Sequence, residues 1–214
     1  MNSNKLTKHN ISKLKFTMIS NTKNPYKLFE NWFSDAKEAE INNYNAMNVA
    51  TIGDDNRPTS RMVLLKDYNE AGFVFYTNQL SRKGQNIAHT PYAALCFHWK
   101  SLDRQVRIEG RFETVSDTEA DDYFASRARG SQIAAWASKQ STPLASRKDF
   151  DARIEKYELK FPQGTHVPRP PHWSGYRLTA DRLEFWQEMP YRRHDRVVYT
   201  LNSKGEWETH RLYP

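Results

Sequence analysis

Hydrophobic positions along the chain follow two periods in turn. Leu28, Phe29, Trp32, Phe33, Ala36 and Ala39 recur at three- and four-residue steps, which predicts an amphipathic helix from Pro25 to about Glu40. Asn24 suits its cap and Pro25 its first turn. The period then drops to two. Ala46–Ile52, Thr59–Tyr68 and Gly72–Thr77 read as strands divided by turn residues, and too little chain separates them for crossover helices, so they should be antiparallel. A short helix over Ser81–His89 stops before Pro91, and strands follow at Tyr92–Trp99 and Arg104–Thr114. Helical spacing returns over Asp117–Ser126, Ser131–Ser138 and Ser146–Phe161, and residues 162–171 form an extended loop. Four more strands are expected at Trp173–Thr179, Leu183–Gln187, Arg196–Leu201 and Trp207–Leu212, with an Asn202–Gly205 turn closing the last hairpin. Eight or nine strands with helices inserted after the fifth predict a mainly-β (α+β) fold, an antiparallel barrel rather than a doubly wound sheet.

Composition narrows this picture. With 214 residues, 38% of them apolar and 13% aromatic, the chain has material for one well-packed domain, expected over residues 24–214. No apolar run approaches a membrane span, and the N-terminus lacks the apolar core of a signal peptide. The lone Cys96 excludes an internal disulfide and a multi-cysteine metal site, and fits a reducing, cytoplasmic setting. The seven histidines show no metal-ligand spacing, so no metal is expected. Formal charge is +7, but residues 1–23 hold five lysines and no acid, so much of the excess belongs to a basic, flexible arm. The remainder is near balance, which disfavours a nucleic-acid binder.

Signatures for dinucleotides, P-loops, serine hydrolases and zinc proteases are missing. What stands out instead is a set of short segments mixing bases with hydroxyls, the donor set that phosphate recognition needs. Along Arg61-Met-Val-Leu-Leu-Lys66, strand alternation sends Arg61 and Lys66 to opposite faces, into solvent or into two different pockets. Thr77 ends a strand just before Ser81, Arg82 and Lys83 open a helix, whose free N–H groups favour an anion. Tyr123, Arg127 and Ser131 are spaced four apart and could line one side of a phosphate pocket if a helix continues through them. Arg192-Arg-His-Asp-Arg196 follows Glu184-Phe-Trp-Gln187; read as extended chain, it points Arg192 and His194 the same way and turns Arg193 aside. Each segment alone also reads as ordinary surface.

Taken together, in this order, the segments resemble the pyridoxine/pyridoxamine 5′-phosphate oxidase family from about Asn24 to Pro214. Arg104-Gln-Val-Arg107, Trp136-Ala-Ser-Lys-Gln-Ser141 and the ending Arg211-Leu-Tyr-Pro214 match as well. The resemblance implies an FMN-binding split β-barrel acting as a homodimer with FMN at the subunit interface. It assigns to FMN the run Arg61, Met62, Val63, Leu64, Leu65 and Lys66. Tyr76, Thr77, Arg82 and Lys83 join them, as do Gln105, Gln140, Ser141, Trp186 and Arg196. Substrate contacts would come from Lys66, Tyr123, Arg127, Ser131, Arg192 and His194, the last two beside the reacting ring as the catalytic pair. The implied reaction oxidises pyridoxamine or pyridoxine 5′-phosphate to pyridoxal 5′-phosphate by hydride transfer from substrate C4′ to flavin N5. Dioxygen reoxidises the flavin, giving hydrogen peroxide. One departure is visible: residues 1–23 are rich in lysine and asparagine, without the arginines and tyrosine of the family's arm. A non-catalytic flavin or haem barrel would lack the Tyr123/Arg127/Ser131 set and the Arg192/His194 pair, and a nucleic-acid barrel would interleave aromatics with bases on one sheet face.

Overall fold

Helix α1 (Pro25–Ala39) begins where the sequence predicts in the computed structural model, which describes residues 16–214. The Asn24 side chain accepts hydrogen bonds from the N–H groups of Tyr26 and Lys27, and Pro25 occupies the first turn, where no donor is needed. Leu28, Phe29, Trp32 and Ala36 form the buried stripe. Phe29 meets Tyr68, Phe73 and Phe97 edge-on at centroid distances of 5.0, 4.9 and 5.3 Å, so this helix closes the inner face of the sheet with aromatic contacts.

The strands are β1 (Ala46–Ile52), β2 (Pro58–Leu64), β3 (Asp67–Asn69), β4 (Gly72–Asn78), β5 (Tyr92–Trp99), β6 (Arg104–Thr114), β7 (Trp173–Gln187), β8 (Asp195–Leu201) and β9 (Trp207–Arg211). All pairs are antiparallel, in the order β2-β1-β5-β6-β7-β4-β3, with β8 added to β7 and β9 to β8. The sheet curls into a half-barrel with flanking helices. Its core holds Met47, Val49, Phe75, Leu95, Phe97, Val106, Ile108, Leu183, Phe185 and Tyr199, residues that alternate with outward-facing positions along their strands.

Two predicted boundaries change. Thr59–Tyr68 is not one strand, because the chain switches partners in its middle. The Leu65 N–H still donates to Asn45 O, but the Lys66 N–H donates to Val74 O on β4. Conversely, Trp173–Thr179 and Leu183–Gln187 are one strand of 15 residues. One edge of β7 lies along β6, while the other pairs first with β4 and then with β8. Asp181 is the extra residue of a bulge between the Glu109 and Gly110 pairings. Gly110 is required there: a Cβ would stand 2.1 Å from Thr179 O.

Helix α2 (Arg82–His89) follows β4, and α3 (Asp117–Ala125), α4 (Arg129–Ala137) and α5 (Arg147–Lys160) lie between β6 and β7. Phe124, Ile133, Val167 and Trp173 form a separate small core beneath these three helices. No helix among the described residues is long and apolar enough to cross a membrane. The predicted basic arm falls largely on residues 1–15, outside the described residues.

Candidate functional site

A cavity of about 570 Å³ opens where β2, β4 and the start of α2 converge. Residues 59–64 of β2 and Lys66 form one wall, and Tyr76 and Thr77 of β4 another. Arg82 and Lys83 come from the first turn of α2, Gln140 and Ser141 from the loop after α4. Four cations thus face a cavity whose described lining contains no carboxylate. A larger space of about 910 Å³ lies between Asn21–Lys23 and the β8–β9 hairpin, but its Arg211 is already committed to Asp195 and to Ile19 O. The smaller cavity is the better anion site.

Lys83 and Arg61 are held by neutral partners. Ser81 caps α2 through Gly84 N–H and also accepts from the buried Lys83 Nζ at 3.2 Å. Thr77 Oγ1 and Gln140 Oε1 take the other Lys83 hydrogen bonds at 3.1 and 3.2 Å. Burial, with the charge of Arg61 added, lowers the Lys83 pKa to about 8. Arg61 donates to Thr51 Oγ1 and Thr59 Oγ1, both at 2.7 Å, and to Val49 O at 3.2 Å. Asn86 on α2 donates to the same two hydroxyls at 3.0 Å, tying the helix to the strand pair. Burial and then the charge of Arg82 pull the Arg61 pKa down, because no counter-charge offsets the loss of water. Successive residues 59–64, of both parities, border this cavity, so alternation does not separate Arg61 from Lys66 as the sequence suggested. β2 ends at Leu64, and Lys66 lines the same cavity as Arg61.

A second basic group adjoins the first through Tyr76. Its ring stacks on Tyr123 with centroids 3.9 Å apart, and Lys66 Nζ lies 6.0 Å from the Tyr123 centroid. The Tyr76 hydroxyl donates to Glu119, whose two oxygens also accept from Arg177 at 2.9 Å. Burial foremost, and then the Glu119 charge, raise the Tyr76 pKa. Arg127 is half-buried against Trp173, its guanidinium carbon 4.9 Å from the ring centroid. Its Nη1 is buried without a hydrogen-bond partner, and burial lowers its pKa. Tyr123, Arg127 and Ser131 do not share a helix: α3 ends at Ala125, α4 starts at Arg129, and Ser131 stands exposed in its first turn. The break falls at 126–128, and Gly130 lies inside α4.

The remaining candidates gather elsewhere. Gln105, Trp186 and Arg196 lie side by side across β6, β7 and β8. Buried Glu184 accepts from Arg196 at 2.7 Å and from Arg182 at 2.8 Å, with Arg107 at 3.5 Å. Burial favours its neutral form, but the guanidinium groups outweigh this and its pKa falls below the usual carboxylate range. Arg196 also donates to Tyr213 O, clasping the C-terminus. His194 packs on Trp186 with centroids 4.7 Å apart, and its Nδ1 accepts from Met189 N–H. Arg192 does not extend along a strand. Tyr191 and Arg192 adopt left-handed φ values of 57° and 61° in a tight turn, so the two-residue alternation does not orient Arg192 with His194. None of this second set lines the cavity: β4, one of its walls, pairs with the first half of β7, whereas Trp186 stands near the other end of that strand, beside β8.

Sequence reasoning passed over Thr51, Thr59, Asn86, Glu119 and Trp173. Asn86 carried a signal, since it follows Lys83 by one helical turn. Trp173 carried none, because its neighbours come from three separate elements.

Comparison with known proteins gives the family and the fold. Residues 33–161 match the family model described as Pyridoxamine 5'-phosphate oxidase, and residues 173–214 the Pyridoxine 5'-phosphate oxidase C-terminal dimerisation region. A pyridoxine/pyridoxamine 5'-phosphate oxidase from Myxococcus xanthus is 56% identical over 89% of this chain and 91% of its own. One from Mesorhizobium japonicum is 53% identical over 89% of this chain and 92% of its own. Among solved structures, PhzG from Burkholderia lata, crystallised with tetrahydrophenazine-1-carboxylic acid, superposes with a TM-score of 0.85. It is 28% identical and covers 91% of this chain and 95% of its own. An FMN-binding protein from Nostoc punctiforme shares the fold at a TM-score of 0.72 and 14% identity, over 91% of this chain and 100% of its own.

Proposed function

The chain belongs to the pyridoxine/pyridoxamine 5′-phosphate oxidase family, and from this premise we propose that it is an FMN-dependent homodimer producing pyridoxal 5′-phosphate. Pyridoxine 5′-phosphate and pyridoxamine 5′-phosphate are its substrates, dioxygen is the final oxidant, and the amine substrate releases ammonia. The reading rests on one observation above all, the four cations of Arg61, Lys66, Arg82 and Lys83 around a cavity whose described lining has no carboxylate. A phosphate dianion satisfies that donor set, with Thr77 and Ser141 as short hydroxyl donors. The residues present therefore fit the phosphate end of FMN.

FMN, when bound, supplies the hydride acceptor. The chain's own residues bind and orient. Lys66, Tyr123 and Arg127 take the substrate phosphate, and the unpartnered Arg127 Nη1 is a donor already stripped of water. Ser131, one turn into α4, adds a hydroxyl at the rim. Arg192 and His194 hold the substrate ring; with Nδ1 accepting from the backbone, a neutral His194 carries its proton on Nε2.

The two sets of FMN candidates lie apart within one chain, and Trp186 and Arg196 of the second set, with the substrate candidates Arg192 and His194, fall inside the matched dimerisation region. A two-fold dimer that brings the partner's set against this chain's cavity supports one FMN at each of two equivalent sites. The lone Cys96 suits a reducing, cytoplasmic location. The test is direct. Cofactor released from the purified protein should run as FMN, and pyridoxine 5′-phosphate in air should yield pyridoxal 5′-phosphate and hydrogen peroxide in equal amounts. FAD in place of FMN, or no turnover by the reconstituted protein, would overturn the proposal.

A further inference from the structure

Trp173, the first residue of β7, sits at the junction of two features that the proposed function uses. Its indole is buried, at 6% exposure, in the small core beneath α3 and α4. On it rests the Arg127 guanidinium, 4.9 Å from the ring centroid. The same indole lies nearly parallel to Tyr76, at 5.4 Å and 9°, and to Tyr123, at 6.2 Å and 1°. Tyr76 and Tyr123 are themselves stacked at 3.9 Å. Three parallel rings and one cation thus form a single packed unit drawn from β4, α3, the α3–α4 link and β7. The unit is anchored at one edge, where Glu119 accepts from the Tyr76 hydroxyl and is clamped by Arg177.

Arg127 has no carboxylate to orient it. No ion pair involves it among the described residues, its pKa is depressed by burial, and one of its terminal nitrogens is unpartnered. A guanidinium in that state takes its direction from packing, and the indole face at 4.9 Å is the nearer of the two rings that supply it, the other being Phe124 at 5.6 Å. Aromatic stacking fixes Tyr123 in the same way.

We propose that Trp173 is a positioning residue for substrate phosphate, its indole setting the guanidinium of Arg127 and the ring of Tyr123 relative to each other before substrate arrives. The inference rests on the reading of Arg127 and Tyr123 as phosphate ligands. Phosphate contacts bind ground and transition states nearly alike, so the effect of disturbing them falls on KM and leaves kcat largely alone.

The experiment is a double-mutant cycle in the FMN-loaded enzyme, with Trp173→Phe and Arg127→Lys singly and combined, and Trp173→Leu and Arg127→Ala alongside. KM and kcat for pyridoxine 5′-phosphate, inhibition by inorganic phosphate, and FMN affinity are measured for each. Trp173→Leu is expected to raise KM and the phosphate inhibition constant by about tenfold, with kcat and FMN affinity within about twofold, and Trp173→Phe, which keeps a smaller aromatic face, to raise them by about fivefold. In the cycle, the two conservative changes should be non-additive in KM by at least about threefold, the size of a partly desolvated cation–π contact. If Trp173→Leu does not fold, the Phe/Lys cycle decides alone. Additive effects, or a lowered melting temperature with unchanged KM, would reduce Trp173 to a core residue and overturn the proposal. Unchanged KM in Arg127→Ala would instead overturn the underlying phosphate assignment, and the proposal with it.

Discussion

Lys83 offers the sharpest test of the cofactor-phosphate site, because its environment gives cofactor binding a pH dependence that a solvated lysine would not. Its ammonium is buried against Thr77, Ser81 and Gln140, and burial together with Arg61 brings its pKa to about 8. At that value the side chain is about nine-tenths charged at pH 7 and about one-tenth charged at pH 9. The phosphate monoester is already a dianion above pH ~6, so lysine deprotonation dominates in this range. The dissociation constant of FMN from the apoprotein should therefore rise about tenfold between pH 7 and pH 9. Binding at pH 9 should take up close to one proton as the phosphate restores the charge. The stability consequence has the opposite sense. Between pH ~8 and ~10.4 the unfolded lysine holds a proton that the folded apoprotein has released, so apoprotein stability rises with pH across that window. Flavin fluorescence titrations at pH 7, 8 and 9 and constant ionic strength measure the effect. Lys83→Arg, which stays charged throughout, should flatten the profile. A flat profile in the wild type, or an unchanged slope in Lys83→Arg, would refute the reasoning.

Other expectations follow from the same geometry. Chains carrying Arg61→Ala and chains carrying Arg196→Ala, each inactive alone, should regain up to a quarter of wild-type activity when unfolded and refolded together in equal amounts, since half the dimers are then mixed and each has one intact site; no recovery would mean that each site is built within one chain. Glu184→Gln leaves Arg107, Arg182 and Arg196 without a common counter-charge and should cost about 2–4 kcal/mol in denaturant unfolding while weakening FMN binding. Gly84→Ala would place a Cβ 2.1 Å from Gln79 O, so α2 must shift; about 1–3 kcal/mol of stability should go, and FMN affinity with it. His194→Ala and Arg192→Ala should each lower kcat/KM at least about tenfold, with FMN affinity near wild type, as read by steady-state oxidation of pyridoxine 5′-phosphate.

Much of this architecture is legible in the sequence, because strand alternation and helix caps are local signals. Asn24, Ser81 and Ser146 each cap a helix through the side chain, at or near the starts expected from the pattern. What escaped depends on partners distant in the chain. The apolar run from Met62 to Leu65 gives no hint that the backbone leaves β1 for β4 at Lys66, or that Arg61 and Lys66 line one cavity. Ala180-Asp-Arg182 has the polar look of a turn and is instead a bulge, a difference set by Gly110 on the neighbouring strand. The residue types of the site were readable, but its division into two sets was not, since nothing local to Gln105 or Trp186 tells how many strands separate them from Arg61. The left-handed pair Tyr191–Arg192 likewise has no glycine to announce it.

The 15-residue length of β7 has a consequence of its own. Trp173 at its start touches Arg127, and Trp186, next to its end, lies beside Arg196. At ~3.3 Å per residue the thirteen steps between them amount to at most about 43 Å along the backbone, less what the bulge takes up. The strand therefore works as a gauge bar whose length is set by residue count rather than by side-chain identity. Adding or deleting one residue in its regular part would rotate everything beyond that point to the opposite face of the sheet. Substitutions along β7 should be tolerated far better than indels, and the one place where an odd residue is already absorbed is the bulge at Asp181.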